Sequence, residues 1–397
     1  MVTFDNPLDR IYQYLLVSAF FLLPLTVLGN NIAIWLITIL WLCSGSYLKK
    51  IQQIKSNNLA IASIIFFLIH CISLLWTANL DWGLEILRKM LPFMLVLPIF
   101  LCVTKKANKN YYISAFLLAI AISEGFSYLI WFEIVPPYKY GDVANPTPLM
   151  SHISYNPFLA FAIYLVLNKL LAPEKISQVE RALYTFFALT MTFNMFITGG
   201  RAGQVMFFAA LIVLAIQHFK SSQIKATFIA LSSIVLITIL AYSSSHLFQS
   251  RVDSAISDVT NYNQDKNTAV GMRITFLMNS FTLFTESPLL GVGAGDFPLE
   301  YERVNEENSP EVDLTVQPHN MYLLVLAQLG FLGFLSLGWI FYLQFKIAAL
   351  SEDKIIHNIG IAMPILFLVI MWSDSYLLGH YTSNLFILFS SFIYGNR

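Results

Sequence analysis

Charged residues are scarce in this chain. Only 12% of its 397 residues are Asp, Glu, Lys or Arg, whereas 57% are hydrophobic. Soluble domains carry about 25% charged residues, so the composition excludes an ordinary soluble protein and indicates a polytopic membrane protein. The formal net charge is zero, so no overall positive field favours nucleic acid as a partner. The three cysteines lie inside apolar runs, and we therefore expect no disulfide framework.

Motifs that bind nucleotides and metals are also missing from the sequence. It contains no Walker motif, no paired Asp-x-Asp and no Gly-x-Ser-x-Gly. No group of histidines and carboxylates has the spacing of metal ligands. We therefore expect an enzyme of this sequence to use no metal, no soluble nucleotide and no other cofactor. The energy for its reaction would come with the substrate, for example in a lipid diphosphate bond.

Twelve segments of the chain are apolar and approach the roughly 20 residues that a helix needs to cross a bilayer. They lie at about 10–28, 31–48, 59–76, 86–103, 112–132, 153–171, 181–198, 202–219, 226–243, 320–345, 356–373 and 377–394. The sequence therefore predicts an all-α polytopic membrane protein of about twelve transmembrane helices. Spans one to nine would occupy residues 1–243, a long polar loop with short helices residues 244–319, and the last three spans residues 320–397.

The distribution of Lys and Arg orients these spans. With a cytoplasmic N-terminus, 15 of the 23 Lys and Arg residues fall on the cytoplasmic side, among them Lys175, Lys220 and Arg397. The other eight, including Arg251, fall on the opposite side, called the far side below. Positive residues concentrate in cytoplasmic loops, so we expect both termini in the cytoplasm and the long loop on the far side.

Two far-side arginines occupy positions that suit an anion. Arg201 follows Gly199-Gly200 and begins the eighth span, and Arg273 begins a predicted helix within the long loop. A helix N-terminus carries partial positive charge and free N–H groups, and a guanidinium can bind a phosphate through two parallel hydrogen bonds. The alternatives are contact of Arg201 with lipid headgroups and pairing of Arg273 with an acid of the loop.

A histidine marks the point where the long loop meets the tenth span. His319 follows Pro318 at the N-terminus of this span. The positive end of a helix disfavours a protonated imidazole, so the ring suits a general base. Capping of the helix or contact with headgroups is the alternative role. Asp374 ends the eleventh span on the same side, where it would orient His319 or pair with an arginine.

Four further polar residues are weaker candidates. Arg88 opens the fourth span, where it would contact lipid phosphates, and His152 and Tyr155 flank the start of the sixth span, where they would line an entrance. Glu124 lies inside the fifth span, and an intramembrane acid is a functional candidate by default. For all four, an interfacial or structural role is the simpler interpretation.

The long loop itself is acidic, so an anion site within it would depend on individual arginines. Residues 273–284 predict a helix with an apolar face that we expect at the bilayer surface. Residues 287–297 contain three glycines at every second position, which suits tight turns or close backbone approach. The acidic stretch 298–316 is expected to form an excursion on the protein surface.

Taken together, these residues resemble the O-antigen ligase family. The resemblance rests on the predicted spans, Arg201, Arg273, Pro288-Leu289-Leu290-Gly291-Val292-Gly293, and the pair His319-Asn320 that opens the tenth span. It is strongest across about 190–335. The broader superfamily also contains O-antigen polymerases and protein O-oligosaccharyltransferases.

The resemblance implies a glycosyltransferase of lipopolysaccharide biosynthesis in the inner membrane of a Gram-negative bacterium, with its active site facing the periplasm. Its partners would be membrane lipids, an undecaprenyl-diphosphate-linked glycan donor and a lipid A–core acceptor, and transfer would invert the anomeric centre without a metal. Arg201 and Arg273 would bind the diphosphate, and His319 would activate the acceptor hydroxyl. Asp374 and Asn320 would support the site.

Two departures from the family pattern and two other functions remain open. An acid often lies eight residues after the His-Asn pair, where this chain has Gln328, and Gly200 stands where Ser or Thr often precedes the arginine of span eight. An O-antigen polymerase is the nearest alternative, but polymerases commonly carry two large periplasmic loops and this chain has one. A twelve-span secondary transporter is less favoured, because no internal repeat relates the two halves of the chain.

Overall fold

The computed structural model describes residues 6–172, 176–219 and 222–396, and these ranges are helical without a β-strand, as the sequence predicted. Their seventeen α-helices, numbered in chain order, are α1 Pro7–Leu22, α2 Val27–Cys43, α3 Tyr47–Lys55, α4 Asn58–Ser73, α5 Leu80–Met94, α6 Val96–Val103, α7 Lys109–Trp131, α8 His152–Leu171, α9 Gln178–Ile197, α10 Arg201–His218, α11 Gln223–Ser244, α12 His246–Thr260, α13 Gly271–Glu286, α14 Phe297–Asn308, α15 Met321–Ala349, α16 Lys354–Ile370 and α17 His380–Ile393. Lys175, Lys220 and Arg397, which were counted as cytoplasmic, lie outside the described residues.

Several of these helices can cross a membrane. Six helical segments in the described ranges are long and apolar enough: Leu80–Val103, Lys106–Trp131, His152–Leu171, Arg201–His218, Ile224–Ser244 and Met321–Ala349. The pair α2 and α3, bent by 120°, adds a seventh if it is counted as one span. The chain is therefore a multi-pass membrane protein. The total of twelve spans, the cytoplasmic termini and the far-side loop stay predictions.

The contacts within the chain divide it into two compact units. The first comprises residues 1–35, 107–252 and 351–370, and the second comprises residues 36–106, 253–350 and 371–397. In the first unit α10 packs mainly on α8, α8 also packs on α9, and α1 packs on α7. In the second unit α4 and α13 pack on α15, and α17 packs on α6.

Glycines allow the close contact between α8 and α10 in the first unit. A Cβ added at Gly200 would lie 2.5 Å from the carbonyl oxygen of His152, and one added at Gly203 would overlap Asn156. Larger residues at these two positions would force the helices apart. The start of α10, which carries Arg201, is therefore held against the start of α8.

In the second unit a glycine-rich strap, residues 288–296, docks on a break in α15. The break is at Gly330, whose φ of 60° and ψ of −159° interrupt the helix. Four backbone hydrogen bonds join strap and helix: Val292 N to Ala327 O (2.8 Å), Gly293 N to Gln328 O (3.0 Å), Phe331 N to Pro288 O (2.8 Å) and Leu332 N to Leu289 O (3.3 Å). The strap thus satisfies backbone groups that the break removes from the helical pattern. The sequence favoured tight turns or close backbone approach at these glycines, but it did not identify α15 as the partner.

Gly330→Ala is expected to destabilise the protein strongly. The added Cβ would overlap the carbonyl carbon of Leu289 in a backbone conformation that is essentially restricted to glycine and costs other residues about 1–3 kcal/mol before any overlap. The melting temperature of the purified protein in detergent measures the effect. Gly338→Ala is the matched control in the same helix, because nothing lies within 4 Å of its added Cβ. Equal melting of the two variants would contradict the role of the strap.

The long loop has a hydrophobic core of its own. Phe276 of α13 and Tyr301 of α14 are buried together with Leu324 of α15. The Asn279 side chain of α13 donates hydrogen bonds to Asn305 Oδ1 (3.0 Å) and to Ser309 Oγ (2.8 Å), which fastens α13 to α14. The first part of the stretch 298–316 is therefore a packed helix, and the expected surface excursion was wrong for it. The apolar residues of this helix recur every three to four positions, which is a helical pattern. The many acids between them obscured it in the sequence.

Candidate functional site

In the second unit, the structure brings His319 and Asp374 together although 55 positions separate them in the chain. His319 Nδ1 lies 3.3 Å from Asp374 Oδ1, and the two side chains are 30% and 14% exposed. His319 has a φ of 49°, a left-handed conformation that histidine adopts more often than most residues. Such strained positions cluster at functional sites. The pair therefore has the geometry of a base and its orienting carboxylate.

Backbone contacts fix the position of this pair. Asn320 caps α15 by accepting a hydrogen bond from Leu323 N (3.0 Å), and its amide donates to Trp372 O (3.2 Å). Met321 N also donates to Met371 O (2.9 Å). These bonds tie the start of α15 to the segment that carries Asp374. Asn320, predicted as a supporting residue, is fully buried, and its side chain supports the site by hydrogen-bonding to backbone groups.

Arg273 lies in the same neighbourhood as the pair. It is in the first turn of α13, and three residues later Phe276 stacks on the His319 ring with 6.1 Å between ring centroids. Burial raises the pKa of the Tyr376 hydroxyl, the Asp374 carboxylate raises it further, and the positive charge of Arg273 opposes the rise. Within the described residues Arg273 has no hydrogen bond or ion pair, so its guanidinium can take an anion.

Phe276 and Tyr376 were not identified from the sequence. Both are aromatic side chains, and most aromatic side chains serve hydrophobic packing. Nothing in the sequence distinguished these two from the rest. Only the stacking of Phe276 on His319, and the position of Tyr376 two residues after Asp374, link them to the pair. No motif in the sequence carried either signal.

In the first unit, a second group of polar residues surrounds the start of α10. Asn145 Oδ1 accepts a hydrogen bond from Gly199 N (2.8 Å), two residues before Arg201. The Asn145 amide nitrogen lies 3.3 Å from Nδ1 of His152, the first residue of α8. The Asn145 side chain therefore bridges His152 at the start of α8 and the glycine turn that leads into Arg201. Asn145 was missed because it lies in a loop 54 positions before Gly199, and no local pattern links the two.

Three other candidate residues lie in surroundings that indicate a structural role. Tyr155 is fully buried and donates to Asn194 Oδ1 (2.9 Å), so it joins α8 to α9 and does not line an entrance. Arg88 is exposed and forms two hydrogen bonds to Glu85 (2.7 and 2.8 Å). Glu124 is buried in α7. In the described ranges no group of three or more His, Cys, Asp or Glu side chains has the arrangement of a metal site.

The fold and these groups of residues together define a class of protein. It is a multi-pass helical membrane protein in which a histidine–carboxylate pair lies in the same neighbourhood as an arginine. Residues 186–338 match the family model described as O-antigen ligase. This match supports the family that the motifs predicted, because over these residues the chain is similar to the O-antigen ligase family. It supports a glycosyltransferase-like enzyme of O-antigen processing, of ligase or polymerase type. No curated protein matches the chain.

Proposed function

We propose that the protein is an O-antigen ligase. It would transfer O-antigen polysaccharide from undecaprenyl diphosphate to lipid A–core oligosaccharide at the periplasmic face of the Gram-negative inner membrane, without a metal or cofactor. The observation that carries this proposal is the contact of His319 with Asp374, with Arg273 close by in the same unit. The family match supports the substrate class.

The acceptor is activated by His319 in this scheme. Its hydroxyl gives a proton to Nε2 of His319 while the hydroxyl oxygen forms a bond to the anomeric carbon of the donor glycan. In this scheme Nδ1 carries the other ring proton and donates a hydrogen bond to Asp374 Oδ1. The carboxylate holds this tautomer and stabilises the imidazolium that forms. Attack opposite the diphosphate inverts the anomeric centre.

The departing diphosphate is stabilised by arginine. As the bond between the anomeric carbon and the diphosphate oxygen breaks, its electron pair stays with undecaprenyl diphosphate, whose negative charge grows. A fixed guanidinium stabilises such a charge best where water is partly excluded. Arg273 is partly buried and has no ion pair in the described residues, and we assign it this role. Arg201, at the start of α10 in the first unit, is proposed separately to bind a substrate diphosphate.

Asp374→Asn is expected to reduce kcat by about 100-fold or more, because the amide can stabilise the wrong imidazole tautomer and no longer balances the imidazolium charge. The measurement is transfer by purified protein from a lipid-linked glycan donor. Asp353→Asn is the matched control, since Asp353 pairs with Lys109 in the first unit and has no proposed part in the reaction. Wild-type kcat in Asp374→Asn would contradict the orienting role.

Deletion of the gene for this protein, followed by electrophoresis of the lipopolysaccharide of the cells, tests the proposed function. A ligase predicts loss of all O-antigen from lipopolysaccharide and accumulation of polymer on undecaprenyl diphosphate. A band carrying a single repeat unit would instead identify a polymerase. Unchanged lipopolysaccharide would exclude both and favour the transporter.

A further inference from the structure

Arg251 lies against the glycine turn that leads into Arg201. A Cβ added at Gly199 would lie 3.6 Å from Nη2 of Arg251 and 3.5 Å from Oδ1 of Asn145. Gly199 is buried, and the guanidinium of Arg251 and the amide of Asn145 both approach its backbone. Because residue 199 has no side chain, both groups can come this near.

Two independent contacts hold Arg251 in this position. Ser245, just before α12, donates a hydrogen bond from its hydroxyl to Phe196 O (2.6 Å). Phe248, one turn before Arg251 in α12, packs edge-on against the Phe196 ring at 5.2 Å between centroids, and both rings are buried. These contacts anchor the start of α12 to the segment that ends at Gly199, so the backbone that carries Arg251 is held in place.

The charge of Arg251 is not balanced by the protein. Its side chain is partly buried, and within the described residues it forms no hydrogen bond or ion pair. Arg303, by contrast, is ion-paired with Glu286 and Glu300. A partly desolvated guanidinium without a protein partner gains most from an anion that can accept its parallel N–H groups.

We infer that Arg251 is a second guanidinium of the anion subsite at Arg201 and contacts the diphosphate of the lipid-linked donor. This inference rests on the proposed function. A diphosphate diester carries two negative charges, and Arg251 would add a second positive charge beside the turn that leads into Arg201. Phospholipid headgroups carry a related phosphate but no diphosphate, so the preference for diphosphate over monophosphate is the property that Arg251 would supply.

Binding of farnesyl diphosphate and farnesyl monophosphate to the full-length protein in detergent tests the assignment without turnover. Arg251→Ala and Arg251→Gln are expected to weaken diphosphate binding about 10- to 100-fold, the loss typical of charge-assisted hydrogen bonds. Monophosphate binding should fall much less, and Arg251→Lys should recover only part of the loss. Arg303→Ala, which removes a paired arginine, should bind like wild type.

The outcomes separate the two proposals. If Arg201→Ala loses diphosphate binding while both Arg251 variants keep it, the role of Arg251 is overturned and the proposed function stands. An equal loss for both phosphates would also overturn it, because it would identify a general phosphate contact. If the wild-type protein binds neither probe, the proposed function itself fails. A melting temperature within one or two degrees of wild type for Arg251→Gln shows that a binding loss is not unfolding.

Discussion

His319→Ala is expected to abolish glycan transfer while leaving the protein folded in the membrane. A general base contributes about 10²- to 10⁴-fold to a rate, and no other imidazole contacts Asp374 in the described residues. The His319 side chain is 30% exposed, so its removal costs little packing. The measurement is the rate of transfer by purified variant, together with the long-chain lipopolysaccharide of cells that carry it.

His319→Gln separates a base from a group that only positions the acceptor. The glutamine amide can hydrogen-bond a hydroxyl but cannot take its proton, so a base predicts the same loss as in alanine. His218→Ala is the control, because His218 ends α10 in the first unit and has no part in the scheme. Near-normal long-chain lipopolysaccharide in His319→Gln would contradict the general-base role, and positioning of the acceptor would remain as the role of His319.

Local features of the chain carried much of the fold and part of the site. Long apolar segments predict helices because a bilayer leaves no other way to satisfy the backbone. His319 was predicted from its place after Pro318, and Arg273 from its place at the start of a loop helix, and the structure puts both at helix starts. These are properties of a few consecutive residues, which a sequence displays directly.

Contacts between distant segments could not be predicted in the same way. The sequence offers Asp374 two kinds of partner, because nothing in the residues around it distinguishes a distant histidine from a distant arginine. The hydrogen bonds from Asn320 to Trp372 and from Met321 to Met371 fix that choice. The break at Gly330 was missed because residues 320–345 read as one apolar helix, and its cause lies in the strap.

The strap also gives the candidate site a rigid support. It docks on α15 near Gly330, about ten residues after His319. At its far end the Asp296 carboxylate accepts hydrogen bonds from Ala78 N (2.8 Å) and Asn79 N (2.7 Å), which fixes the strap to the start of α5. The N-terminal part of α15 is thus held at two places, at its start by residues 371–372 and near Gly330 by the strap. Catalytic pairs need such support because small displacements of a base cost large factors in rate.

Arg273→Lys is expected to lower kcat about 10²- to 10³-fold, nearly as much as Arg273→Ala, because stabilisation of the leaving diphosphate needs the two-pronged guanidinium and not charge alone. Arg303→Ala is the matched control in the same unit. Arg303 is exposed and paired with Glu286 and Glu300, and surface ion pairs contribute only about 0–1 kcal/mol, so this variant should transfer glycan at the wild-type rate. If Arg273→Lys keeps wild-type kcat, bidentate binding is excluded and Arg273 acts as a simple positive charge. If Arg273→Ala also keeps it, the leaving group is stabilised without Arg273, and the role assigned to α13 is wrong.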